Sequence, residues 1–211
     1  MPQEDPYSNS ARNYDRFVEP FNGILRKIAL KLTAELEPGS LLEIGCGTGT
    51  NLQLFSQKGW KVTGIDLSPA MLFEAKKKLG DQAVLTLGDG SVLPFETDTF
   101  DLTLAMLTLH EMPPALRPKV LAEISRVVKT GGHILLIDFH PGPFAFFKGW
   151  YYRAVIFFFE RVAGGEHYQN FRDFMWRKGL SALIGASGLS ILKEKIVGGG
   201  NIGFYFLRVT R

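Results

Sequence analysis

The chain has 211 residues, 45% hydrophobic and 21% charged, which suits one globular domain with a full core and no room for a second large one. A formal net charge of +3 is too small a bias to argue for a nucleic-acid partner, and a single cysteine, Cys46, excludes an internal disulfide or a cysteine-based zinc site. No uncharged apolar run reaches the ~18 residues of a membrane span, and the opening MPQEDPYSNS is polar and acidic, unlike a leader; the expectation is a cytoplasmic protein.

In chain order, the first predicted element is a helix over 21–36, packed on a sheet. Residues 41–44 are a short apolar run ending in glycine, read as a buried strand. A helix over 51–58 follows, then a strand over 61–65 ending at Asp66. Ser68 reads as an N-cap with Pro69 at the first helical position, and this helix runs to Leu79 and stops at Gly80. Its run Lys76-Lys77-Lys78 reads as a solvated face. Strands over 83–87 and 100–106 come next. Leu116, Val120, Leu121, Ile124, Val127 and Val128 keep helical spacing, with Pro118 tolerable in the first turn, and Thr130-Gly131-Gly132 ends that helix. Residues 133–139 read as apolar throughout, hence a central strand. A helix over 170–187 is closed by Gly188, and 190–197 with 203–210 form a hairpin joined by Gly198-Gly199-Gly200-Asn201. Strands alternating with helices predict an α/β, doubly wound, mainly parallel seven-stranded sheet, to which the hairpin adds one antiparallel strand.

The chemical signal is Leu42-Glu43-Ile44-Gly45-Cys46-Gly47-Thr48-Gly49-Thr50, directly after a strand and opening a helix. Ligands of such sheets bind outside the carboxyl ends of the strands, where this turn lies. Glycines let the backbone turn tightly and approach the ligand. A dinucleotide fingerprint would need glycine at position 50, where Thr50 stands; the pattern present is E-x-G-x-G-x-G. Asp66, 21 residues after Gly45, can accept both hydroxyl hydrogens of a ribose, which suits more than one nucleoside cofactor. In Gly88-Asp89-Gly90-Ser91, Asp89 either accepts from an adenine amino group or closes a plain turn. Phe100-Asp101-Leu102 opens the fourth strand after Leu93-Pro94-Phe95.

With LEIGCGTGT, TGIDLSP, GDGSVLPF, FDLTLAMLTLHEM and VKTGG in place, the chain resembles the class I S-adenosylmethionine-dependent methyltransferases. Within them it is most similar to the ubiquinone/menaquinone-biosynthesis type, over about residues 14–139. The resemblance implies a Rossmann-like fold, S-adenosyl-L-methionine as cofactor, and methyl transfer. It implies one domain over 1–211, with a lid and leading helix over 1–37 and an aromatic-rich cap over 140–187. It places Gly45, Cys46, Gly47, Thr48, Gly49 and Asn51 along the methionine moiety and Asp66 at the ribose. Leu67 and Met71 fall beside the adenine, Gly88, Asp89 and Gly90 at its edge, and Met106 and Leu107 under the sulfonium. Tyr14 and Arg16 match a stretch that closes over the cofactor; the alternative is a surface aromatic and charge.

Displacement at a sulfonium disperses charge, so the main requirement is alignment in a dry pocket, with a base needed only if the nucleophile must lose a proton. His110 and His140, each just past the carboxyl end of a strand, are the candidate catalytic residues, with Glu111, His167 and Tyr168 as further candidates. For His110 a hydrogen-bonded loop histidine is the alternative. Met112-Pro113-Pro114-Ala115 lacks the acid or amide and the aromatic of the motif carried by exocyclic-amine methyltransferases of nucleic acids, so no nucleic acid is expected. Leu107-Thr108 stands where the metal-dependent catechol type has aspartate, so no metal is expected. The stretch FAFFKGWYYRAVIFFFERV reads as core packing or an oligomer interface, or as an apolar tunnel or interfacial helix for a lipophilic acceptor. Trp150, Tyr151 and Tyr152 beside Lys148 and Arg153 suit a water–lipid boundary. The leading expectation is methyl transfer to a small, apolar acceptor, a quinone precursor or lipid-like molecule, with peripheral membrane contact. The alternatives are a methyltransferase for a soluble metabolite, a nicotinamide-dependent oxidoreductase, and a non-catalytic nucleoside-binding module.

Overall fold

The computed structural model describes Asp5, Tyr7, Ser8 and residues 10–211, with Phe17 by its backbone alone. Met1–Glu4, Pro6 and Asn9, which belong to the polar opening stretch and the expected lid, lie outside the described residues. Fourteen regular elements follow: α1 (Tyr14–Leu32), β1 (Ser40–Ile44), α2 (Thr50–Ser56), β2 (Lys61–Asp66), α3 (Pro69–Leu79), β3 (Ala83–Leu87), β4 (Phe100–Met106), α4 (Arg117–Val127), β5 (Val128–Phe139), α5 (Lys148–Val162), α6 (Gly165–Trp176), α7 (Gly179–Gly185), β6 (Ser190–Val197) and β7 (Ile202–Arg208).

The seven strands form one sheet in the order β3-β2-β1-β4-β5-β7-β6. All pairings from β3 to β5 are parallel, and β7 is antiparallel to both β5 and β6, so β7 is the one reversed strand, as expected. Helices cover both faces of the centre, which is why Leu41, Leu42, Glu43 and Ile44 of β1 are all buried. The strand order turns around between β1 and β4. There the connections leave in opposite directions and open a crevice above the carboxyl ends.

Local chemistry sets several boundaries. The Ser68 hydroxyl accepts the Met71 amide at 3.0 Å, Pro69 occupies the first helical position, and Gly80 ends α3. Four expectations need correction. Helix α1 begins at Tyr14, not at 21, and runs through Pro20, because its first turn is tied down by contacts described below. Val128 already belongs to β5, and Thr130-Gly131-Gly132 lies inside that strand, where a register shift opposite Asp101 absorbs the extra residues. The helix expected over 170–187 is two helices, broken where Lys178 takes a left-handed φ of 66°. Lys78 is no plain solvated residue, since its ammonium reaches across to α1.

Candidate active site

The loop between β1 and α2 is shaped by what surrounds it. Gly45 and Gly49 have φ of 65° and 74°, a region that side-chain-bearing residues rarely adopt. A Cβ on Gly45 would overlap the Thr108 side chain, and one on Gly49 would strike Leu79 and Ala75. At Gly47 the same direction is open, with nothing among the described residues within 4 Å. The loop is therefore packed on its inner side and bare on its outer side, where a ligand can lie against the backbone. Amides of Gly45 and Cys46 both donate to the Ile65 carbonyl at 2.8 and 3.1 Å, tying the loop to the end of β2.

Asp66 stands at that end. Its carboxylate accepts the Gly47 amide at 2.8 Å and the Ser68 amide at 2.9 Å. These bonds aim it at the crevice and leave lone pairs for a diol, while burial pushes its carboxyl upward from the usual range. Glu43 lies at the base of the loop, 2% exposed. Its Oε1 accepts from Asn51 Nδ2 at 2.6 Å, and its Oε2 has no partner among the described residues. Burial pushes this carboxyl up to about 8. Asn51 in turn accepts from Arg26 of α1 at 3.1 Å and lies 3.5 Å from the Met106 sulfur. Met71 is buried and Leu67 exposed. Gly90 is buried against Ile44, and Gly88 donates to the Asp66 carbonyl. Asp89 closes an Asx turn onto the Ser91 amide at 2.7 Å, the turn alternative, with its second oxygen left over. Leu107 takes a left-handed φ of 53° at the tip of β4.

The N-terminal segment folds over this crevice. Asp5 accepts from the Ser68 hydroxyl at 2.9 Å and the Ala70 amide at 3.1 Å, at the amino end of α3. Tyr7 donates to Glu111 Oε2 at 2.9 Å and packs edge-on against Tyr14. Asp15 accepts from Thr48 Oγ1 at 2.6 Å and pairs with Lys78 at 2.6 Å, latching α1 to the glycine loop. Arg16 is exposed.

A second polar group gathers beyond β4. His110 is buried, and its Nδ1 lies 2.7 Å from Asp138 Oδ1 of β5. The other Asp138 oxygen accepts the Leu109 and His110 amides at 3.0 and 3.1 Å. Asp138, Glu160 and Glu111 raise the His110 pKa to about 9 against the opposing effect of burial. Its Nε2 faces Glu160 Oε2 at 3.6 Å and Glu111 Oε1 at 3.9 Å, while His167 lies 2.7 Å from Glu160. Phe139, Phe171 and Phe174 wall the imidazole. His140, by contrast, is turned toward the terminal loop, its Nδ1 3.1 Å from the Gly200 carbonyl and 3.2 Å from the Gly142 amide. The structure thus brings His110, Glu111 and His167 together and leaves His140 and Tyr168 in other surroundings, Tyr168 stacking on Phe171. Asp138 corrects the reading of 133–139 as apolar throughout. A lone acid in such a strand is the signal of a buried partner. Nothing in the sequence pairs Glu160 or Tyr7 with this cluster, because the contacts span distant elements.

Residues 42–136 match a family model described as a methyltransferase domain. A demethylmenaquinone methyltransferase of Lactococcus lactis is 31% identical over 197 residues, covering 86% of this chain and 77% of that protein. A phosphatidylethanolamine N-methyltransferase of Cereibacter sphaeroides is 35% identical over 105 residues, covering 47% of this chain and 50% of that protein, so the match spans half its length. Among solved structures, a phosphoethanolamine N-methyltransferase of Haemonchus contortus in complex with S-adenosyl-L-methionine is similar, with a TM-score of 0.68 at 14% identity over 89% of this chain and 53% of that one.

Proposed function

Because the chain belongs to the class I S-adenosylmethionine-dependent methyltransferases of the type-11 kind, with S-adenosyl-L-methionine as its cofactor, we propose that it methylates a small, lipophilic acceptor presented at a membrane surface. The residues present fit the cofactor. Glu43 Oε2 is a buried acceptor without a partner among the described residues, as the cofactor's ammonium requires. Gly47 leaves open space beside the loop, and Asp66 keeps lone pairs free for the ribose hydroxyls. Leu67 and Met71 offer apolar surface for the adenine, and Met106 and Leu107 a floor below the sulfur. When bound, the cofactor supplies an electrophilic methyl group on a positively charged sulfur.

The chain's own residues do the rest. Tyr7 and Tyr14 exclude water from above the crevice. His110, held by Asp138, keeps a proton at neutral pH and presents Nε2–H toward an acceptor oxygen. Glu111 and Glu160 stand ready for any proton the nucleophile gives up.

The observation that carries the lipophilic reading is the direction in which α5 faces. It buries Gly149 and Ile156 and turns Trp150, Tyr151, Phe158, Phe159 and Val162 to solvent. An amphipathic helix normally does the reverse. Beside it, a cavity of about 540 Å³ is lined by Arg153, Phe157, Arg172, Met175 and Trp176. Arg153 Nη1 is buried there without a partner among the described residues. The groove is lined in equal part by apolar and polar side chains, Gln169 and Asp173 among the latter, and its unmatched Arg153 nitrogen suits an acceptor with a hydrocarbon body and an anionic or quinone-like head. The test is incubation with methyl-labelled cofactor and a total cell extract, followed by organic–aqueous partition. Label in the organic phase, abolished in Asp66→Ala together with calorimetric binding of S-adenosylhomocysteine, is expected. Label confined to the aqueous phase would leave a soluble-metabolite methyltransferase.

A further inference from the structure

Three elements bring four ligating side chains together above the carboxyl ends of β4 and β5. His110 and Glu111 come from the turn after β4, Glu160 from the end of α5, and His167 from the start of α6. The His167 and His110 Nε2 atoms lie 2.7 and 3.6 Å from the same Glu160 oxygen, and His110 Nε2 lies 3.9 Å from Glu111 Oε1. One ligand atom from each of His110, Glu111 and His167 lies within 4.8 Å of the others. We propose that these four side chains bind one divalent transition-metal cation of the zinc type.

Three features of the cluster support this. The first is spacing. Donors about 2.0–2.2 Å from a tetrahedral zinc stand about 3.3 Å apart. Glu160 Oε2 lies 2.7 and 3.6 Å from the His167 and His110 Nε2 atoms, and His110, Glu111 and His167 gather within 4.8 Å, so rotation of the two carboxylates toward the imidazoles closes the site. The second is orientation. Asp138 holds His110 Nδ1 at 2.7 Å and is itself fixed by two backbone amides, which leaves Nε2 aimed into the cluster beyond hydrogen-bond reach of either carboxylate. A carboxylate behind a histidine in this way fixes the ring and raises its basicity as a metal ligand. The third is charge. Among the described residues, the three carboxylates Asp138, Glu111 and Glu160 meet two imidazoles, with neutral donors from Tyr7 and the backbone, inside walls made of Phe139, Phe171 and Phe174. A divalent cation offsets that excess where water cannot.

Two nitrogens with carboxylate oxygens favour zinc, iron or manganese over calcium or magnesium, which prefer all-oxygen sets. The proposal departs from the expectation of no metal, which rested on Leu107-Thr108 alone; the cluster begins two residues later, at His110. Binding of the cation is independent of the acceptor's identity. Its use rests on the proposed function: a cation on His110 Nε2 would stand in place of the Nε2–H described above and polarise the acceptor oxygen.

The test uses the full chain stripped with a chelator and titrated by calorimetry with Zn²⁺ and, separately, Mg²⁺, with melting temperatures recorded alongside. We expect one Zn²⁺ per chain, a higher melting temperature, and no response to Mg²⁺. Zinc affinity should fall about 100-fold in His167→Gln and in Glu160→Gln, while both variants still bind S-adenosylhomocysteine and keep their circular dichroism. Co²⁺ should give a visible ligand-field spectrum that both variants lose. Absence of stoichiometric Zn²⁺ uptake, or uptake unchanged in both variants, overturns the site whatever the acceptor proves to be.

Discussion

Glu43 is the side chain at which stability and the proposed cofactor binding pull apart. It occupies a strand buried on both faces, where a carboxylate is costly unless its oxygens are matched. Asn51 matches one oxygen and nothing described matches the other. The sign follows from its pKa, raised by burial from 4.5 to about 8. A group raised in this way contributes stability that is complete below its unfolded value and lost as pH climbs through the folded one. Glu43→Gln keeps the shape and the bond to Asn51 but never charges. The ligand-free variant should therefore lose less melting temperature than the wild type between pH 5 and 8, and calorimetry should show it binding S-adenosylmethionine at least tenfold more weakly, about 1.4 kcal/mol. Equal affinity would remove Glu43 from the ammonium's partners. His110 acts in the same direction at higher pH. Its pKa, raised from 6.5 to about 9 by Asp138 and its other carboxylate neighbours, makes its contribution complete below 6.5 and lost through 9. His110→Gln should flatten the melting-temperature profile over that window, and a slope unchanged in the variant would assign the loss to other groups.

The aromatic cap buries Phe171, Phe174 and Met175 in the core, and one arginine adds a cluster of polar contacts between cap and sheet. Arg117, in the first turn of α4, is buried and donates to the carbonyls of Leu109, Met112 and Asn170 and to Asp173 at 2.7 Å, with its guanidinium over Phe174. One side chain thus links the turn carrying His110 to α6. Arg117→Met keeps the apolar stem but takes the side-chain donor from the Met112 carbonyl and leaves Asp173 to Arg177 alone, at a cost of about 2 kcal/mol. Hydrogen exchange should show α6 and α7 opening before the central strands in that variant, and uniform protection would mean that apolar packing alone holds the cap. The elements of the cradle were legible in the sequence because their signals are local: Ser68-Pro69 and Gly80 bracket α3, and an acid precedes spaced glycines after an apolar run. Elements whose limits depend on distant contacts were not. Pro20 looks like a helix start, yet Asp15 bonds Thr48 and Lys78 and draws α1 back to Tyr14. The same holds for the cluster around His110. Its histidine and Glu111 stand in a recognisable loop, but Asp138, Glu160 and Tyr7 join it only through the fold.

At the scale of the whole molecule, charge and apolar surface are distributed unevenly. Residues 144–178 hold Lys148, Arg153, Arg161, Arg172, Arg177 and Lys178 against Glu160, Glu166 and Asp173, an excess of positive charge as large as that of the entire chain. Glu160 is turned inward to the histidines, which leaves the outward-facing charge more basic still. On that face Trp150, Phe158 and Trp176 are 60%, 65% and 88% exposed. Basic residues around exposed aromatics complement an anionic bilayer: the rings enter the interface and the cations meet the head groups. No helix among the described residues is long and apolar enough to cross a membrane, and the proposed contact is accordingly one with the interface plane. The chain should co-float with vesicles containing phosphatidylglycerol, bind pure phosphatidylcholine vesicles more weakly, and be released from the former as salt shortens the Debye length below about 10 Å. The triple variant Trp150→Ser, Phe158→Ser, Trp176→Ser should stay in the soluble fraction with an unchanged melting temperature, since each ring already faces solvent. Undiminished flotation of that variant would rule the face out as the lipid contact. A wild type that elutes as a dimer, with the variant a monomer, would show that a second copy covers these rings, and the acceptor would then have to reach the crevice through water.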